Sequence, residues 1–253
     1  MIPLSDPDLH RRSSPYVTIA LIAINVAVFL YELSLNSVQT EVFFYRWGLI
    51  PAELTSGDEF TRLFAGRAVL DITSPLPAWG TVFTAMFIHG GFMHIAGNML
   101  FLWVFGDNIE DRMGHVQFLI FYLACGVAAT WTQVAFNMGG EVPNIGASGA
   151  IAGVLGAYLL LYPQSRINTL VMFVFITVVR LPALYLLGFW FLLQLFSGAG
   201  SLGPGAYASG GVAYWAHVGG FVAGLLAIAL YMRLRGEPIR RPHWRYPGGW
   251  RRG

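Results

Sequence analysis

A serine, two histidines and an asparagine stand in segments that are otherwise apolar. Ser148 lies in Gly146-Ala147-Ser148-Gly149 at the start of the run Ala147–Tyr162. His94 and Asn98 lie on an apolar segment near Phe92–Phe105, and His217 near the start of Val212–Met232. His94 and Asn98 are spaced to share one helix face. Together these side chains offer a hydroxyl, two imidazoles and an amide, groups from which nucleophilic catalysis can be assembled. Each also has a plain reading. A serine in a membrane helix can bond back to a carbonyl of its own helix. A buried histidine can be a packing or hydrogen-bonding group, and an asparagine can join two helices. The combination at matching depth favours chemistry.

The elements that must position these groups follow from composition. The chain has 253 residues, 56% hydrophobic and 11% charged, with a mean hydropathy of +0.59. Soluble domains carry about 25% charged residues. So few charges exclude an ordinary cytosolic enzyme, a disordered protein and a nucleic-acid binder, and leave an integral membrane protein. Single Cys125 excludes a disulfide framework and a cysteine-rich metal site within one chain.

Six spans are expected: Tyr16–Leu35, Phe92–Phe105 extended at either end, Val116–Phe136, Ala147–Tyr162, Pro182–Phe196 and Val212–Met232. The first starts late and is long enough to read as an uncleaved signal anchor. Asn36–His89 reads as a structured, interface-associated loop, Asp107–His115 as a charged turn, and Ile167–Val179 as an interfacial or partly re-entrant stretch. Ser197–Gly211 is glycine-rich and suits a mobile cap. The expected organisation is an N-terminal segment 1–14, a membrane domain 15–233 and a basic tail 234–253. All fifteen basic residues are arginine, and eleven of them fall on the side of the termini against three (Arg46, Arg62, Arg67) on the other. The positive-inside rule then places both termini in the cytoplasm, with the first and fifth loops facing outward, and the tail arginines against anionic lipid rather than nucleic acid. Arg180 has no assigned role.

Glycines recur on two spans, at Gly149, Gly153 and Gly156 and at Gly219, Gly220 and Gly224. Such faces let helices approach closely, and here close contact would bring Ser148 within hydrogen-bond reach of His217. A zinc protease usually shows His-Glu-x-x-His, which is missing. An aspartyl mechanism needs two embedded acids, whereas Asp107 and Glu110 lie in the charged turn.

The residues resemble the rhomboid family of intramembrane serine proteases. The resemblance is carried by His89-Gly90-Gly91-Phe92-Met93-His94, Asn98, Asn108-Ile109-Glu110-Asp111-Arg112-Met113-Gly114, Gly146-Ala147-Ser148-Gly149 and Ala216-His217-Val218-Gly219-Gly220, and it extends over essentially the whole chain. It implies an all-α, six-transmembrane-helix bundle with a long, partly structured first loop. It also implies a serine endopeptidase that cleaves transmembrane segments of membrane proteins near the outward face. Ser148 would be the nucleophile and His217 the general base of a dyad. His94, Asn98 and the Ser148 backbone N–H would form the oxyanion hole. His89, Gly146 and Gly149 would support them. No metal or other cofactor is implied; the partners are transmembrane substrates and lipid, and substrate would pass between the second and fifth spans. Small residues are expected at the cleavage site. Compact size and all-arginine composition fit a prokaryotic plasma membrane.

Two departures stand out. A Trp-Arg pair common in the first loop is replaced by Trp79-Gly80, and an aromatic residue found in some members four positions after the serine is Ala152. The orientation of His217 must then come from other contacts. Two other functions fit parts of the pattern: an inactive rhomboid-like binding factor, and a small-solute transporter with polar residues at helix breaks.

Overall fold

The computed structural model describes residues 1–9, 11–66, 68–172, 176–202 and 211–237. The six apolar segments become α1 (Tyr16–Glu32), α5 (Phe92–Met113), α6 (His115–Phe136), α7 (Ser148–Leu161), α8 (Ala183–Gly200) and α9 (Tyr214–Leu234). The first loop holds α2 (Ser37–Trp47), α3 (Pro51–Ser56), a hairpin of β2 (Arg62–Ala65) and β3 (Ala68–Asp71), and α4 (Ala78–Thr84), which runs into a 3-10 turn, Ala85–Phe87. Two further strands, β4 (Arg166–Met172) and β5 (Ile176–Pro182), join an N-terminal strand β1 (Ile2–Ser5) in an antiparallel sheet ordered β1-β4-β5. Among the described residues α6, α8 and α9 are each long and apolar enough to cross a membrane. α4 with its 3-10 turn and α5 pass that test together, bent by 84°.

The bundle is built around α7. Its residues Gly149–Tyr158 are buried without a break. α9 packs against it most extensively, with α6 and α5 on its other sides. The glycines make this possible: a Cβ on Gly220 would collide with the Gly149 carbonyl, and one on Gly224 with that of Gly153. Backbones in such contact gain dispersion energy that larger side chains would forbid. An inner helix need not match the bilayer. The 14 residues of α7 extend only about 21 Å at 1.5 Å per residue, against a hydrocarbon core of about 30 Å.

The segment read as a charged turn is mostly helical. α5 continues to Met113 and α6 begins at His115. Glu110 is fully buried. Its carboxylate accepts from the Val17 and Thr18 backbone N–H groups and the Thr18 hydroxyl at 2.7–2.9 Å. Pro15 gives α1 no side-chain cap, so a carboxylate from α5 satisfies the free donors of its first turn and meets the positive end of its dipole. Asp111 accepts from the Arg12 and Ser13 N–H groups in the segment that leads into α1.

The stretch Ile167–Val179, in its described residues, lies in the paired antiparallel strands β4 and β5 rather than in a re-entrant segment, with Asn168 opposite Arg180. Its length and apolarity suggest membrane, but Ile167, Thr169, Val171, Ile176, Thr177, Val178 and Val179 are β-branched, the side chains that favour a pleated strand. Arg180 is exposed on the edge strand β5. α8 continues through Gly200, so Ser197–Gly200, expected in the glycine-rich cap, are helical; loop residues 203–210 and the tail from 238 lie outside the described residues.

Candidate active site

Ser148 is the first residue of α7, where the helix leaves backbone N–H groups without intrahelical acceptors. The loop before it is tied to the first loop by Leu49 and Asn144, which exchange N–H···O bonds of 3.0 and 2.7 Å, and by Gly146 N–H to the Ala85 carbonyl at 2.8 Å. Thr84 Oγ1 donates to the Trp47 carbonyl at 2.6 Å, and Arg46 pairs with Asp71 at 3.1 Å. These contacts anchor the loop where Gly80 replaces the expected arginine. Gly146 has φ +125°, and a Cβ there would stand 2.7 Å from His94 Nε2; both facts require glycine. Gly149 packs α7 on α6, since a Cβ there would come within 2.7 Å of Ala129 Cβ.

The four sequence-predicted polar residues converge on one cavity of about 680 Å³, lined also by Met93, Phe101, Ile151, Leu155 and Trp190. Ser148 Oγ lies 2.8 Å from His217 Nε2. His94 Nδ1 accepts from the Gly90 N–H at 3.3 Å, so its proton resides on Nε2 and that nitrogen is a donor. Asn98 is buried, and its Nδ2 has no hydrogen-bond partner among the described residues. His89 does not line the cavity. It is buried beside His94, with ring centroids 5.0 Å apart, and its backbone N–H donates to Glu32 Oε1 at 3.1 Å. Among the described residues no three His, Cys, Asp or Glu side chains converge as a metal site would need.

A model of the Rhomboid domain matches residues 77–234. The chain belongs to the rhomboid family. Among curated relatives, the Rhomboid protease GluP of Bacillus subtilis is 38% identical over 88 residues, 35% of this chain and 17% of its own. Rhomboid protein 1 of yeast mitochondria is 30% identical over 183 residues, 71% of this chain and 48% of its own. The presenilin-associated rhomboid-like protein of cattle is 37% identical over 83 residues, 32% of this chain and 22% of its own. The alignments thus span less than half of each relative. The domain match is also narrower than the near-complete resemblance expected from sequence, because it omits the N-terminal strand, α1 and most of the first loop. This rhomboid is an integral membrane protein.

Two residues beside His217 were not anticipated. Gln194 Oε1 lies 2.8 Å from His217 Nδ1, and the Trp190 ring lies 5.7 Å from the imidazole, tilted by 37°. Both come from α8, one turn apart. They supply the orientation that Ala152, fully buried on α7, does not. The available signal was Gln194 itself, the single amide in an apolar helix. A polar group within a span is costly unless partnered.

Proposed function

We propose that this rhomboid is a serine endopeptidase that cleaves transmembrane segments of other membrane proteins. The observation that carries the reading is the 2.8 Å contact between Ser148 Oγ and His217 Nε2 at the edge of the cavity. In the proposed reaction Ser148 Oγ attacks the substrate carbonyl carbon and its proton passes to His217 Nε2. The developing oxyanion is met by Asn98 Nδ2, His94 Nε2 and the Ser148 N–H. His217 then gives its proton to the leaving amine as the C–N bond breaks. A water entering the cavity loses a proton to His217 and attacks the acyl carbon, and the proton returns to Ser148.

The length of α7 supports cleavage inside the membrane. If its Tyr162 end sits at the membrane surface beside the arginine-bearing sheet, Ser148 lies about 10 Å below the opposite surface, from the helix rise and bilayer thickness. A peptide bond must leave its helix to be attacked there, because helical backbone is shielded by its own hydrogen bonds. We place both termini on the cytoplasmic side, from the arginine distribution.

The test is cleavage of a single-span model substrate in proteoliposomes by the wild type, Ser148→Ala and His217→Ala proteins. Cleavage by the wild type, lost in both variants, is the expected result. Absence of cleavage, together with no labelling of Ser148 by a fluorophosphonate, would instead favour a binding-only rhomboid.

A further inference from the structure

The third partner of the serine–histidine pair comes from an unexpected element. Gln194 Oε1 can only accept a hydrogen bond. At 2.8 Å from Nδ1 it selects the tautomer with the proton on Nδ1, which leaves the Nε2 lone pair facing Ser148 Oγ. The opposite tautomer would put a proton on Nε2 and remove the base. In soluble serine proteases an aspartate does this orienting, and an amide does it in papain-like enzymes. An amide suits the present site, because an ionised carboxylate within a span carries a larger desolvation cost than a neutral group. The groups facing His217 are His94 and Asn98 from α5, Ser148 from α7, and Trp190 and Gln194 from α8. From α6, Gln133 accepts from the neighbouring Ala216 N–H at 3.2 Å.

α8 is also the least embedded helix of the bundle around α7. It leans on α9 and touches α7 only lightly. No residue from Gly188 to Ser197 is buried, and Phe189, Leu192, Leu193 and Phe196 are exposed. Gly198 marks its close approach to α9, since a Cβ there would stand 3.2 Å from the Trp215 ring.

We propose that Gln194 is a positioning residue that holds His217 in its base-competent tautomer, so that the pair is competent only while α8 lies against α9. This rests on the serine-protease reading. Any displacement of α8, including one that admits substrate, would separate Gln194 from His217, and reaction would await its return.

The experiment measures the rate at which a fluorophosphonate labels Ser148 in proteoliposomes, a readout that requires no known substrate. Gln194→Leu keeps size and removes the acceptor; an apolar residue in this helix leaves the fold at least as stable. Labelling should fall at least about 10-fold; the loss is about 10⁴-fold where an aspartate orients the histidine of a soluble protease, and a neutral amide partner is expected to contribute less. Gln194→Glu restores a carbonyl oxygen at Nδ1 and should recover most of the rate, which a residue needed only for packing would not do. Gly198→Val, which wedges α8 from Trp215, should slow labelling several-fold in the wild type and add little in the Gln194→Leu background, because both act on the same contact. Wild-type labelling by Gln194→Leu, or equal loss in Gln194→Leu and Gln194→Glu, would overturn the proposal while leaving the protease reading intact. If the wild type is not labelled at all, the protease reading falls and the proposal with it.

Discussion

At one end of α5, Glu110 is fully buried and receives three hydrogen bonds from the start of α1, with His115 Nδ1 a further 2.5 Å away. At the other end Asn98 is nearly as buried, yet its Nδ2 has no partner among the described residues. One helix thus carries a saturated polar cluster and an unsaturated one. The Asn98 donor faces the cavity with no protein acceptor among the described residues, whereas Glu110 is satisfied by the α1 junction. The saturated end stabilises the fold; the unsaturated end holds donors ready for a group that arrives during reaction.

Asn98→Ala should break the comparison at the cavity. Cleavage should fall about 10²- to 10³-fold, some 2.7–4 kcal/mol of transition-state stabilisation, with the thermal midpoint unchanged or raised. Equal losses of activity and stability would refute the division of roles. Glu110→Ala should do the reverse. It strands the α1 donors and should cost about 2–3 kcal/mol of stability by the worth of a cap and of charge-assisted hydrogen bonds, seen in denaturant titration, while the specific rate per folded molecule stays near wild type.

The N-terminal segment sharpens the comparison through pH. Asp6 accepts from the Tyr158 hydroxyl, and from Ser165 Oγ at 2.9 Å. Burial, the largest influence, raises its carboxyl pKa above the ordinary 3.8. A group with a folded pKa above its unfolded one binds its proton more tightly when folded. Docking of β1 should therefore be strongest at or below pH 3.8 and weaken as pH rises through the raised value. Hydrogen exchange of residues 2–5 should show that trend, and Asp6→Asn should flatten it. The smallest effect belongs to the exposed first loop. The pKa of exposed Asp71 is lowered, mainly by its hydrogen bonds with Thr73 and to a smaller extent by Arg46. An exposed pair of this kind contributes little, and Arg46→Ala should change cleavage by less than about twofold; a larger loss would make the loop part of the working cavity.

Much of the bundle was legible because its signals are local. Apolar runs of span length located α1, α6, α8 and α9 within a few residues, and glycine spacing anticipated the α7–α9 contact. The errors have local causes too. The apolarity of Ile167–Val179 suggests membrane, but its β-branched side chains are the better guide; the charges of Asp107–Arg112 suggest a turn, but partners in α1, in the segment before it and at Glu237 let them stay helical.

Composition and order alone determined that this chain lives in a membrane. The motifs around His94, Asn98, Ser148 and His217 named the polar groups to watch, because residue type and span position are properties of the chain itself. Only the tertiary structure decided what surrounds them. His217 takes its orienting amide from a different helix, Glu110 caps a helix 92 residues earlier in the chain, and the N-terminal strand completes a sheet with residues from 166 onward. Such partners are chosen by which surfaces pack together, and no local pattern of side chains encodes that distance.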